Sequence, residues 1–177
     1  MKKIGVFCSA STNIESRYYD IAQQLGKWMG ENNCTLVYGG SKLGLMGAIS
    51  QAVYQNKGSL IGVIPTLLQK TNKESELPQE RIYTQNLSDR KDILLEQSTV
   101  LIALPGGIGT LDEIFHVMGQ ATLGYHNKKI IIYNINGFYN QLLDFLAELK
   151  EKEFIRQPLS TYYIAVDNFD DLILLLK

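Results

Sequence analysis

Apolar positions along this chain alternate between two rhythms. Short unbroken apolar runs at residues 3–8, 35–38, 60–64, 99–104, 129–133 and 162–166 read as buried strands. Between them the apolar positions recur at helical spacing. Residues 15–32 place Tyr18, Ile21, Ala22, Leu25 and Trp28 or Met29 on one face, and residues 44–55 do the same with Leu45, Ile49, Ala52 and Val53. Further helices are predicted at 88–97 with Ser88 as N-cap, and at 109–124, 138–152 and 168–176. Pro65 stops the third strand, and the polar stretch 66–86 reads as a long irregular loop. No repeat, low-complexity tract or linker interrupts the pattern. The alternation therefore predicts one α/β domain over residues 1–177: a Rossmann-like, doubly wound parallel sheet with helices on both faces.

Ligands on such sheets bind outside the carboxyl ends of the strands, near the switch in strand order. Three small-residue turns fall on that edge: Cys8-Ser9-Ala10-Ser11-Thr12, Gly39-Gly40-Ser41-Lys42-Leu43-Gly44 and Pro105-Gly106-Gly107-Ile108-Gly109-Thr110. The third is the most informative. A strand, a glycine turn and a helix start gather bare N–H groups at the positive end of a helix dipole, a ready anion site. Glu113 follows one helical turn further in, so a phosphate cradle has an acid beside it. Thr110-x-x-Glu113 is also the spacing of a capping box, in which the acid would only bond the helix start. Two common nucleotide fingerprints fail. Gly39 and Gly44 have P-loop spacing, but Leu45-Met46 stands where Lys-Ser/Thr is required, and Gly107-x-Gly109 lacks the third glycine of a dinucleotide turn.

Composition narrows the partners. Of 177 residues, 45% are hydrophobic and 20% charged, with a net charge of −1. No basic block supports nucleic-acid binding. His116 and His126 have no ligand-spaced partners, so no metal is expected, and no cofactor. Cys8 and Cys34 read as buried free thiols rather than a disulfide. The first strand follows Met1-Lys2-Lys3 directly, without a leader-like apolar segment, and no run reaches membrane-spanning length, so a cytoplasmic protein that binds no membrane is expected.

Pro105-Gly-Gly-Ile-Gly-Thr-Leu-Asp-Glu113 resembles the Pro-Gly-Gly-x-Gly-Thr-x-x-Glu signature of the LOG ("lonely guy") family. Arg90-Lys91, the run from Tyr38 through Gly39-Gly40-Ser41 to Gly44-Leu45-Met46-Gly47, and Ile61-Gly62-Val63-Ile64-Pro65 match its other motifs in order, and the resemblance covers residues 4–155. It implies a Rossmann-like fold and hydrolysis of the N-glycosidic bond of purine nucleoside 5′-monophosphates, such as cytokinin riboside monophosphates or AMP, to free base and ribose 5-phosphate. Relatives have often been labelled lysine decarboxylases, yet no pattern here suggests a pyridoxal-phosphate site. By the resemblance, Gly106, Gly107, Gly109 and Thr110 bind phosphate with the Gly39-Gly40 turn and Ser11 nearby, Lys91 assists binding, and Arg90 and Glu113 carry catalysis. It also implies a homodimer or larger homo-oligomer, with the helix bearing Phe115, Val117, Met118 and Leu123 as a candidate contact. The chain departs from the family at Leu87, at His116 where many relatives have Glu, and at Gln120-Ala121-Thr122-Leu123-Gly124 where many have Trp-Ala-Gln-Leu-Gly. Whether adenine or an N6-modified adenine is preferred stays open. The rival reading is a nucleotide-binding carrier or sensor without turnover.

The residue types suit the chemistry. Glycosidic cleavage develops oxocarbenium character on the sugar and negative charge on the leaving base. A carboxylate can stabilise the first and orient water. An arginine can stabilise charge through fixed N–H donors but is a poor proton donor.

Overall fold

Seven parallel strands form one sheet in a computed structural model that describes residues 1–69 and 71–177; Lys70, inside the stretch expected to be irregular, lies outside the described residues. The strands are β1 (Lys3–Phe7), β2 (Thr35–Tyr38), β3 (Ser59–Pro65), β4 (Glu80–Thr84), β5 (Val100–Ala103), β6 (Ile130–Tyr133) and β7 (Tyr163–Val166). The helices are α1 (Ser16–Glu31), α2 (Gly44–Gln55), α3 (Thr66–Gln69), α4 (Leu87–Gln97), α5 (Ile108–Thr122), α6 (Asn140–Glu151) and α7 (Phe169–Leu176).

Strand order is β4-β3-β2-β1-β5-β6-β7. The chain winds outward from β1 to β4, then returns to pair β5 with β1 and winds the other way. Connections diverge at the carboxyl ends of β1 and β5, and a crevice opens there. The five inner strands are buried on both faces, which is why they read as unbroken apolar runs. One core layer joins the sheet to α1, α2 and α7 through Leu25, Met29, Leu45, Ile49 and Leu172. The other joins it to α4, α5 and α6 through Leu94, Ile114, Val117 and Leu146. Among the described residues no helix is long and apolar enough to cross a membrane.

The stretch 66–86 is not the irregular loop its polarity predicts. It contains α3 and the parallel edge strand β4, paired through Ile61–Glu80 to Pro65–Thr84. Being an edge strand, β4 exposes Glu80, Arg81 and Tyr83, so its sequence shows no apolar run. The cap of α4 also differs from expectation. Asn86, not Ser88, caps it: the Asn86 side-chain oxygen accepts from the N–H groups of Ser88 and Asp89 at 2.8 and 2.9 Å.

Candidate active site

The three small-residue turns meet at the crevice and are bonded to one another. The Ser9 N–H donates to the Pro105 carbonyl at 3.1 Å, joining the β1 turn to the β5 turn. The Ser9 carbonyl accepts from the N–H groups of Leu45 and Met46 at 2.9 and 3.3 Å, which fastens the start of α2 to the same loop. Gly44 at the end of the second turn has φ +57, and a Cβ there would lie 2.6 Å from the Ala10 backbone. Only glycine allows this approach.

Helix α5 begins at Ile108 with Gly107 as an N-cap that offers no side chain. Its first intrahelical bond runs from the Leu111 N–H to the Gly107 carbonyl at 3.0 Å. The N–H groups of Ile108, Gly109 and Thr110 precede that bond and have no intrahelical acceptor. A Cβ added at Gly107 or Gly109 would meet nothing within 4 Å, so both residues face open space. Gly106 is different: its Cβ would fall 2.0 Å from the Thr110 hydroxyl, which packs back against the turn. The capping box does not form, because Thr110 sits inside the helix and the Glu113 carboxylate is engaged elsewhere.

That engagement is with Arg90. The guanidinium donates from Nη1 to Glu113 Oε1 at 2.6 Å and from Nε to the Val63 carbonyl at 3.1 Å. Its Nη2 occupies the space above Gly39, where a Cβ would be only 2.0 Å away. Gly39 thus leaves room for the arginine, while Gly40, with φ +73 and no room for a Cβ against Ile64, shapes the turn behind it. Both charged residues are buried, Arg90 at 8% and Glu113 at 3% exposure. Glu113 Oε2 has no hydrogen-bond partner among the described residues. Burial pushes the Glu113 carboxyl above the ordinary carboxylate range, and the Arg90 charge and hydrogen bond pull it part of the way back. Burial likewise raises the Cys8 thiol, reinforced by the neighbouring Glu113.

Arg90, Glu113, Gly107, Gly109 and Thr110 line a cleft of about 280 Å³ with Cys8, Ser9, Ala10 and Met46. Ser11 does not line it. That residue is exposed, its N–H donates to Ser9 Oγ at 3.0 Å, and it does not cap α1, whose N-cap is Glu15. Lys91 points instead to Asp112, with Nζ–Oδ1 at 2.7 Å. The sequence reading overlooked Cys8, Ser9, Ala10 and Met46. All four stand in the turns or helix start it had singled out, but their apolar or small side chains carry no chemical signal. His116 and Gln120, two of the departures from the family pattern, contact Asp92 of α4 at 2.9 and 2.7 Å. Both cysteines are free and buried.

Comparison with known proteins adds a lineage to this geometry. The family model described as "Possible lysine decarboxylase" matches residues 46–176. A probable cytokinin riboside 5′-monophosphate phosphoribohydrolase of Oryza sativa subsp. japonica is 42% identical over 154 residues, covering 87% of this chain; the chain spans 62% of that relative's length. A cytokinin riboside 5′-monophosphate phosphoribohydrolase of Arabidopsis thaliana is 35% identical over 176 residues, 99% of this chain and 83% of the relative. Among solved structures, the molybdenum cofactor carrier protein of Chlamydomonas reinhardtii superposes with a TM-score of 0.75 over 99% of this chain and 95% of that one; at 21% identity the likeness is one of fold.

Proposed function

The chain belongs to the LOG family of phosphoribohydrolases, and from that membership we propose that it hydrolyses the N-glycosidic bond of a purine nucleoside 5′-monophosphate, releasing the base and ribose 5-phosphate. One observation carries the reading: a buried carboxylate with one oxygen fixed on Arg90 and the other unpartnered, in a cleft headed by the start of α5.

The 5′-phosphate accepts from the N–H groups at the start of α5, where the helix dipole favours an anion. Gly107 and Gly109 leave room for it, and Thr110 closes one side. Gly106, Gly39, Gly40 and Ser11 support this cradle through the turns that shape it. With the phosphate anchored, the sugar is held near Glu113, and binding energy from this non-reacting group assists the chemical step. Glu113 Oε2 faces the developing positive charge at the anomeric carbon and accepts a proton from the attacking water. The C–N bond breaks as the water oxygen bonds the sugar, and the departing base is protonated from solvent. Arg90 acts electrostatically, holding Glu113 in place and offsetting charge on the leaving group. Lys91 reaches the substrate only by leaving Asp112.

A carrier would need the cradle but not a buried acid held against a guanidinium. Desolvating both charges is unfavourable unless the arrangement is used. A homodimer is also part of the reading. Val117 and Met118 belong to the core, but Phe115 of α5, Leu123 just past its end and Phe154 are 43%, 73% and 77% exposed and border an apolar groove of about 550 Å³. The cytoplasm is the compartment this substrate implies.

The deciding experiment incubates the protein with AMP and follows adenine by chromatography, with adenosine as control. Adenine from AMP and little from adenosine is the expected result. AMP binding without adenine release would replace hydrolysis with carriage.

A further inference from the structure

Helices α4 and α5 are joined by three polar rungs. Arg90–Glu113 is the buried one, and Lys91–Asp112 lies beside it. The third is built on Asp92, whose Oδ1 is 2.9 Å from His116 Nε2 and 2.7 Å from Gln120 Nε2. The two nitrogens are themselves 2.9 Å apart. A carboxylate can only accept, so the arrangement that satisfies it has His116 Nε2–H and a Gln120 N–H both donating to Asp92. Asp92 thereby gathers side chains from two successive turns of α5, four residues apart on one face.

The placement matters because the proposed reacting groups come from different helices. Leu94 and Leu95 of α4, and Ile114, Val117 and Met118 of α5, bury their side chains in the layer against the sheet. That packing sets the height of each helix above the sheet. The two helices touch each other at few points, so this layer fixes their register along one another less firmly than their height. Directional contacts between the two helices come from the rungs. A slip of one helix along the other would lengthen the 2.6 Å Arg90–Glu113 contact and shift Glu113 within the cleft it lines.

We propose that Asp92 is a positioning residue: by holding His116 and Gln120 it locks α4 against α5 in the register that sets Glu113 on Arg90. The proposal rests on the hydrolase reading for its kinetic consequence but not for its structural one. The pair Asp92 and His116 is partly open to water, at 48% and 17% side-chain exposure, so its effect is one of geometry more than of global stability.

Two arms test it. In the kinetic arm, Asp92→Ala lowers kcat for AMP about tenfold and leaves KM within about twofold, because the phosphate cradle on α5 is untouched. Asp92→Asn, whose amide oxygen still accepts both bonds, recovers most of the loss. In the second arm, which needs no turnover, iodoacetamide labelling of the two thiols is followed by mass spectrometry. Cys8 shares the cleft with Arg90 and Glu113, whereas Cys34 stands just before β2, at the amino end of that strand. Asp92→Ala speeds Cys8 labelling about tenfold with Cys34 unchanged, as a local opening requires. An unchanged Cys8 rate, both thiols accelerating together, or Asp92→Asn behaving like Asp92→Ala overturns the proposal. Wild-type protein that releases no adenine defeats the hydrolase reading instead, and the labelling arm then decides alone.

Discussion

Two ion pairs sit side by side between the same two helices and behave as opposites. Arg90 and Glu113 have side-chain exposures of 10% and 4%, whereas Lys91 and Asp112, each the next residue along or back, have 14% and 47%. Charge signs and helix partners are matched, and the difference is orientation. Arg90 and Glu113 turn toward the sheet, where the guanidinium is also held by the Val63 carbonyl and Gly39 yields the space for it. Asp112 turns outward into solvent screening, while the Lys91 side chain stays largely covered beside it. In the inner pair burial raises the Glu113 carboxyl and the Arg90 charge draws it part of the way back; the outer pair, with Asp112 half-exposed, is a contact of small consequence. Chemistry therefore follows burial and geometry rather than the presence of a cation and an acid.

The sharpest way to break the contrast is Glu113→Gln. The amide keeps the volume and can still accept from Arg90, but it cannot take a proton from water or balance a cationic sugar. Adenine release from AMP should fall about 10³-fold while AMP binding, followed by calorimetry, persists. A Glu113→Gln enzyme within about tenfold of wild type would strip the buried pair of its special status and leave it a structural contact.

A milder effect is expected from pH. The Glu113 carboxyl is raised in the folded protein, burial being the larger cause, so the folded state holds its proton more tightly than the unfolded chain does. The associated stability is fully present below the unfolded-chain value and is lost as pH rises through the folded one. The difference in Tm between wild type and Glu113→Gln should shift against wild type across that window. The acid limb of kcat/KM should rise over the same window, because turnover needs the ionised form. Stability and activity then move in opposite directions for one group. A Tm difference independent of pH would show that Glu113 is not displaced at all.

The sequence made the scaffold legible wherever burial is two-sided. Six strands and their helices follow from unbroken and periodic apolar runs, with ends within a residue or two. The edge strand β4 escaped because only Ile82 and Thr84 turn inward there. At the site, the glycine turn and Glu113 stood out by residue type and spacing and Arg90 only through the family resemblance, and spacing alone could not separate a capping box from a buried pair. That distinction lies in Gly107 serving as cap and Arg90 reaching across from a helix that ends before β5. Ser11 and Lys91 illustrate the converse. Their residue types suit an anion, but Ser11 lies exposed outside the cleft with its N–H on Ser9 Oγ, and the Lys91 ammonium is bonded to Asp112. The Asp92–His116–Gln120 rung was out of reach, because its members are 24 and 28 residues apart in sequence.

The smallest effect belongs to the outer pair, and it bears on whether Lys91 binds substrate. Lys91→Met removes the cation; Asp112→Asn removes its partner and frees the ammonium. If the pair is only a surface contact, each variant changes stability by about 0–1 kcal/mol and kcat/KM by no more than about threefold. If Lys91 swings to the phosphate, the variants diverge: Lys91→Met raises KM about tenfold at constant kcat, as loss of uniform binding does, whereas Asp112→Asn leaves KM unchanged or lowers it. The geometry favours the first outcome, since a 2.7 Å contact with a half-exposed carboxylate already engages the ammonium. Divergence would place Lys91 in the binding set and make Asp112 its competitor for the phosphate, leaving orientation a weaker guide to function than the inner pair suggests.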